Sequence, residues 1–231
     1  MATTKVVTHE ELCNRLDAII EDKSVLKHPF YITWQKGELT LDALRGYACQ
    51  YYQHVLAFPR YVSGTHANCD DLADRQELLE NLREEEEGPN NHPELWLRFG
   101  EALGLTREEM TNAEPLVETL ALDETYRRIT RDAPFVSGIS ALYAYESQVP
   151  AVAATKMDGL GEFYGITDKQ QLKFFIVHKS LDVEHSKVTK NMVARYAKTE
   201  EAQEQATKAV EEGTGALLGF LDGCYREYVA A

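Results

Sequence analysis

Basic residues are the scarce class in this chain: 24 lysines and arginines stand against 38 aspartates and glutamates, a formal net charge of −14. A surface that acidic repels phosphate backbones and anionic headgroups, which argues against nucleic acid as a partner and against a polybasic membrane-surface mode. Long apolar runs are missing too. None approaches the roughly 20 residues that span a bilayer, and Met1 to Leu12 carries no apolar segment of the secretory-leader type. A cytoplasmic protein with no membrane association is expected. The four cysteines, Cys13, Cys49, Cys69 and Cys224, lack the close spacing of a zinc knuckle or redox pair and are expected as reduced thiols. Alternating strand-like runs closed by hairpin turns are absent, as are Gly/Ser linkers, low-complexity tracts and internal repeats.

What is present reads as helix. The 231 residues are 44% hydrophobic and 27% charged, a globular composition long enough to bury a real core. Thr8, Thr106 and Thr167 each precede an acid or amide three residues on (Glu11, Glu109, Gln170), the pattern of a capping box. Apolar residues of helical period fill Leu41 to His66, where Pro59 is expected to kink the helix, and Asp71 to Glu87, which ends at Gly88-Pro89. They also fill Pro93 to Leu103, Glu114 to Thr130, Pro134 to Met157, Asp168 to Ala197 and Glu200 to Tyr228. The expectation is one all-α domain over 1–231, of about seven or eight helices.

The stretch from Asp168 to Ala197 carries the chemistry. With His178 at zero and about 100° per residue, Asp182 falls near 40° and His185 near −20°, within an arc of about 60°. Phe174, Phe175, Leu181, Met192 and Val193 flank them, while Lys173, Lys179, Glu184, Lys187 and Lys190 take the opposite face. Three polar groups therefore sit mid-way along a buried face. A buried carboxylate is strongly disfavoured without a partner, and a divalent cation would satisfy all three groups at once. The competing reading is a packed polar network in which Asp182 bridges the histidines.

Glu146 repeats the anomaly, on a face shared with Ile139, Leu142, Val149, Ala153 and Met157. Pro150 lacks the N–H that would bond the Glu146 carbonyl, so the helix is expected to distort there. A plain ion pair or tyrosine contact would also explain a buried glutamate. In the segment before Gly88, both Glu85 and Glu86 fall on apolar stripes, and periodicity does not choose between them. His92, just after the break, reads by itself as a cap or surface residue. Together these segments offer three carboxylates and three imidazoles, a mixture suited to iron, manganese or a mixed pair rather than structural zinc. The duplicated Glu-x-x-His of ferritin-like bundles is missing.

Glu85-x6-His92, Glu146 and His178-x3-Asp182-x2-His185 together resemble the haem-oxygenase-like dimetal oxidases. Within these, the chain is most similar to the branch of the chlamydial protein associating with death domains and its bacterial relatives. The contexts of His28 to Tyr31, Tyr47-x3-Tyr51, Glu85 to Pro93, Tyr145-Glu146 and Lys156 carry the likeness. The resemblance implies a haem-oxygenase-like helical bundle and selects Glu85 over Glu86. It also implies a dimetal centre (Fe/Fe or Fe/Mn) held by Glu85, His92, Glu146, His178, Asp182 and His185. That branch is implicated in making para-aminobenzoate, the aromatic part of folate, from the protein's own residues. Tyr31 matches the tyrosine that supplies the ring, and Lys156 the amine donor. O2 and a reductant from an unidentified electron donor are the implied co-substrates, and a homodimer is expected of the fold. On one continuous helix, Tyr145 and Lys156 project within about 20° of each other. Tyr47 and Tyr51, one turn apart, are candidates to relay a radical, or plain core. Plain packing would also explain Tyr31, and the helix dipole would explain Lys156 near a C-terminus. Two other functions remain open: a dimetal oxidase acting on an external small molecule, and a partner-binding protein. A metal-free relative would leave six ligands without a purpose.

Overall fold

A computed structural model describes residues 6–230, the side chains of Ser180 and Leu181 excepted. Met1 to Lys5, and Leu181 of the buried face assigned above, therefore lie outside the described residues. Among the described residues eleven α-helices follow one another: α1 (His9–Asp22), α2 (Pro29–Gln35), α3 (Leu41–Ala67), α4 (Leu72–Glu86), α5 (His92–Ala102), α6 (Arg107–Thr111), α7 (Val117–Arg127), α8 (Phe135–Glu146), α9 (Val149–Tyr164), α10 (Lys173–Tyr196) and α11 (Glu200–Tyr228). A 3₁₀ turn (Val25–Lys27) precedes α2, and a π turn (Arg128–Asp132) extends α7. No strand occurs among the described residues, and none of the helices is long and apolar enough to cross a membrane.

The all-α expectation holds, but the expected seven or eight helices were too few. Helices α2 and α6, with seven and five residues, are too short for a periodic pattern to show. The stretch from Pro134 to Met157 is two helices, not one. Pro150 sits in the first turn of α9, the position where a missing N–H costs least, and α8 ends at Glu146. The capping boxes at Thr8 and Thr106 form. The one at Thr167 does not: Asp168 instead accepts from the N–H groups of Gln170 and Gln171, and α10 starts only at Lys173. Helix α3 runs unbroken through Pro59. All four cysteines are free thiols.

Helix α8 is the hub. Its residues from Val136 to Glu146 are all buried, and it packs between α10 and α11. Helix α3 lies against α4, α5 and α7, while α9 rests on α10 and α2. Trp34, Trp96, Tyr47 and Phe30 are completely buried in one contiguous core, and such a side chain contributes on the order of 2–3 kcal/mol by leaving water. The joint between α4 and α5 is a tight turn at Gly88, where φ of +77° suits a residue without Cβ. Asn91 braces that turn by donating to the Gly88 carbonyl and caps α5 by accepting from the Glu94 N–H.

Candidate metal centre

The turn at Gly88 brings the end of α4 against the start of α5. It sets Glu85 beside His92, which is the first residue of α5 and buried, not a surface cap. Across from them, α10 contributes His178. Donor atoms of Glu85, His92 and His178 lie within 4.8 Å of one another, and so do those of Glu146, Asp182 and His185. The structure thus gathers all six candidate ligands, but in two triads. This corrects the expectation that the α10 trio addresses one place: His178 serves one group, and Asp182 and His185 the other. Helix α8 is what divides them, because it presents Glu146 toward the later turn of α10.

The donor geometry fits cations. His92 Nδ1 lies 2.7 Å from Glu85 Oε2, yet Nδ1 is buried without a hydrogen-bond partner. Two donors that close and out of line suit neighbouring ligands of one ion, since bonds of about 2.1 Å at right angles put donors about 3 Å apart. Asp182 Oδ2 is likewise buried and unpartnered. His178 Nδ1 sits 2.7 Å from the Phe174 carbonyl, which fixes its proton on Nδ1 and leaves Nε2 as the lone-pair donor. Glu146 accepts from Asn81 Nδ2 at 2.7 Å and from Thr189 Oγ1 at 3.3 Å.

The electrostatics among these side chains show what a cation would relieve. Burial, with Asp182 and Glu85 nearby, pushes the Glu146 carboxyl up to about 8 against the pull of His185 and Asn81. Burial also pushes Glu85 up, but His92, His178 and His185 outweigh it and hold its carboxyl below the usual range. Burial depresses His185, and Asp182, Glu146 and Glu84 overcome it and lift the imidazole to about 9. His178 is lowered by burial and by His92. Six titratable groups are thus packed with incompatible demands, and divalent charge satisfies the carboxylates and the imidazoles together. The residues present fit two transition-metal ions.

Beside the first triad lies a cavity whose walls include Tyr31, Tyr47, Tyr51, Tyr145, Lys156 and His178. Tyr31 from α2 and Tyr47 from α3 share a hydrogen bond of 3.2 Å between their hydroxyls. Lys156 Nζ donates to the Tyr47 hydroxyl at 2.7 Å. The hydroxyls of Tyr51 and Tyr145 lie 2.7 Å apart, and Tyr47 stacks on Tyr51 with ring centroids 5.4 Å apart. Tyr145 and Lys156 belong to different helices, so the single-helix wheel that aligned them does not apply; the break after Glu146 nonetheless leaves both on the cavity wall. Lys156 is 2% exposed, and burial lowers its ammonium to about 7. Its Nζ lies 4.6 Å from the Tyr51 ring centroid and 5.7 Å from that of Tyr31. Burial raises the phenols of Tyr31, Tyr47, Tyr51 and Tyr145, so all four rest protonated.

A family model described as iron-containing redox enzyme matches residues 45–216, a range that contains both triads. The chain belongs to that family. This redox enzyme is 43% identical over 225 residues to the 4-aminobenzoate synthase of Nitrosomonas europaea, covering 94% of this chain and 92% of the relative. It is 41% identical over 209 residues to the 4-aminobenzoate synthase of Chlamydia muridarum, covering 90% and 88%. Among solved structures, a domain of unknown function with a haem-oxygenase-like fold from Shewanella denitrificans OS217 matches with a TM-score of 0.80. That structure is 18% identical and covers 97% of this chain and 94% of its own, a likeness of fold.

Three residues of the enzyme's site went unread in the sequence. Asn81, one turn before Glu85, and Thr189, one turn after His185, both hold Glu146; extending the same helical stripes by four residues would have found them. Glu84, the first of four consecutive glutamates at the end of α4, places Oε2 2.8 Å from His185 Nε2.

Proposed function

We propose that this redox enzyme is a dimetal oxygenase that forms 4-aminobenzoate, the aromatic part of folate, with Tyr31 of its own chain supplying the ring and Lys156 the amino group. Glu85, His92 and His178 would hold one ion and Glu146, Asp182 and His185 the other. Two iron ions, or iron with manganese, would supply activation of O2 when reduced by an external donor. The names of the relatives support the product. The observation that carries the self-sacrificing reading is that the cavity already contains its aromatic ring. Tyr31 is 3% exposed and linked through the Tyr47 hydroxyl to the Lys156 amine. The remaining free space is about 40 Å³, room for a few waters or a diatomic gas, whereas a dry cavity of about 150 Å³ accepts benzene. An external aromatic substrate would require the walls to part.

The residues around Tyr31 have separable tasks. Tyr47 shares a hydrogen bond with the Tyr31 hydroxyl and accepts one from Lys156 Nζ, which holds the amine beside the ring it would substitute. Burial lowers the Lys156 ammonium to about 7, which opens the neutral, nucleophilic amine near neutral pH. Phe30 and Trp34 pack against the Tyr31 ring, hold it in place and keep water out. Tyr51 and Tyr145, whose hydroxyls share a hydrogen bond, would pass an electron between the Tyr31–Tyr47 pair and the first triad.

Protein carrying ring-labelled tyrosine and amine-labelled lysine, loaded with Fe(II) and exposed to O2 and a reductant, should release doubly labelled 4-aminobenzoate with no aromatic substrate added. Tyr31→Phe should bind metal normally and give none. Unlabelled product made from an added aromatic compound would refute self-sacrifice and favour an oxygenase with an external substrate.

A further inference from the structure

Glu84 is the one member of the acidic run from Glu84 to Glu87 that turns toward the metal centre without being one of the six ligands. Its Oε2 is shut off from water and makes no hydrogen bond, and among the described residues its ion-pair contact is the one to His185 Nε2, at 2.8 Å. Its neighbours are engaged otherwise: Glu80 and Glu87 both pair with Arg83, while Glu85 faces His92. The other ring nitrogen of His185, Nδ1, faces Asp182 Oδ1 at 3.8 Å. The imidazole is therefore held between two carboxylates, with Nδ1 toward the second triad and Nε2 toward Glu84. A short groove lined by Glu77, Glu80, Glu84 and Glu184 opens at this place and reaches His185 and Thr189.

We propose that Glu84 is a positioning residue for the second metal ion: its 2.8 Å contact with His185 Nε2, out of line for a hydrogen bond as the side chains stand, closes into one that turns Nδ1 to the site formed with Glu146 and Asp182. This rests on the dimetal reading above. A ligand imidazole needs its outer nitrogen protonated and anchored, and a carboxylate there also makes the inner nitrogen a stronger donor. His178 has its anchor in the Phe174 carbonyl; Glu84 is the corresponding anchor for His185. The negative groove outside raises the local concentration of cations at the entrance.

Titration of the metal-free protein with Mn(II), following free Mn(II) by electron paramagnetic resonance, tests this without any turnover. The wild type should bind two ions. Glu84→Ala should bind the first as the wild type does and the second 10–100-fold more weakly, the usual loss for an outer-sphere anchor. Glu84→Gln, whose amide oxygen still accepts from Nε2–H, should recover most of that affinity; a merely structural role for the α4 end would instead weaken the first ion too in Glu84→Ala, because Glu85 sits on the same turn. Unchanged second-ion binding in Glu84→Ala, or a Glu84→Gln as weak as Glu84→Ala, would overturn the proposal. A wild type that binds fewer than two ions, or a His185→Ala that binds two as the wild type does, would instead defeat the dimetal reading itself.

Discussion

Lys156 should destabilise the protein that needs it. Its ammonium drops from an ordinary 10.5 to about 7 because the side chain is buried. Below pH 7 the folded protein carries a charge it would rather shed, and between pH 7 and 10.5 it has shed a proton that the unfolded chain still holds. Stability therefore rises with pH across that window. At about 1.4 kcal/mol per pH unit, the cost of burying this group is about 4 kcal/mol at pH 7 and falls below about 1 kcal/mol at pH 10. Lys156→Met keeps the unbranched stem and removes the charge. It forfeits the hydrogen bond to Tyr47, worth about 1 kcal/mol, and the contacts of the ammonium with the Tyr51 and Tyr47 rings, about another 1 kcal/mol. The net gain at pH 7 is about 2 kcal/mol, which for a chain of this length raises Tm by roughly 4–8 °C. Scanning calorimetry of the metal-free proteins at pH 7 and pH 10 reads both quantities. The variant should melt higher at pH 7, lose that advantage by pH 10, and release no 4-aminobenzoate when metal-loaded. A variant that melts lower than wild type at pH 7, by a margin that pH does not change, would refute the reasoning.

His178→Ala should reduce the bound transition metal from two ions per chain to one, measured by elemental analysis of the reconstituted protein; retention of both would remove His178 from the first triad. His54 offers a second pH test. It is 2% exposed with neither ring nitrogen partnered, and burial holds it down near 4 from an ordinary 6.5. The unfolded chain takes up this proton as pH falls below 6.5 while the folded protein refuses it until about pH 4, so stability is lost across that window. Urea unfolding of the metal-free protein should show His54→Phe losing about 2 kcal/mol less than wild type between pH 7 and pH 5; equal losses would mean His54 is protonated or hydrated in the folded state.

The parts of the site legible in the sequence are those that helical geometry alone dictates. His178, Asp182 and His185 betray themselves because three polar groups on an apolar stripe need a common partner, and Glu146 does so for the same reason. Their division into two triads was not legible, because it depends on where α8 meets α10, a long-range packing fact. Glu85 and Glu86 were indistinguishable from periodicity, since the last turn of α4 is oriented by the Gly88 turn and by α5. Pro150 announced a distortion but not that α8 would stop outright at Glu146. Helix α2 left no periodic trace in seven residues, so Tyr31 entered through resemblance rather than through physics. Glu84 was hidden by its company: in a run of four glutamates, nothing local marks the one that turns inward.

The burial of Tyr31 has a consequence for the fate of the molecule. The side chain fills the space between Phe30, Trp34 and Tyr47 within α2, a helix of seven residues. If its ring leaves as 4-aminobenzoate with Cβ as the carboxyl carbon, the Cα–Cβ bond must break, and the residue becomes a backbone without a ring. Truncating a large buried aromatic costs about 3–5 kcal/mol, and a glycine-like residue in a helix adds up to about 1 kcal/mol. That is a large fraction of the 5–15 kcal/mol that separates most folded domains from their unfolded chains. A spent copy would be a cavity mutant of itself, first among its siblings to open and be degraded. Product formation would then act as a fuse, tying the lifetime of each chain to its single use.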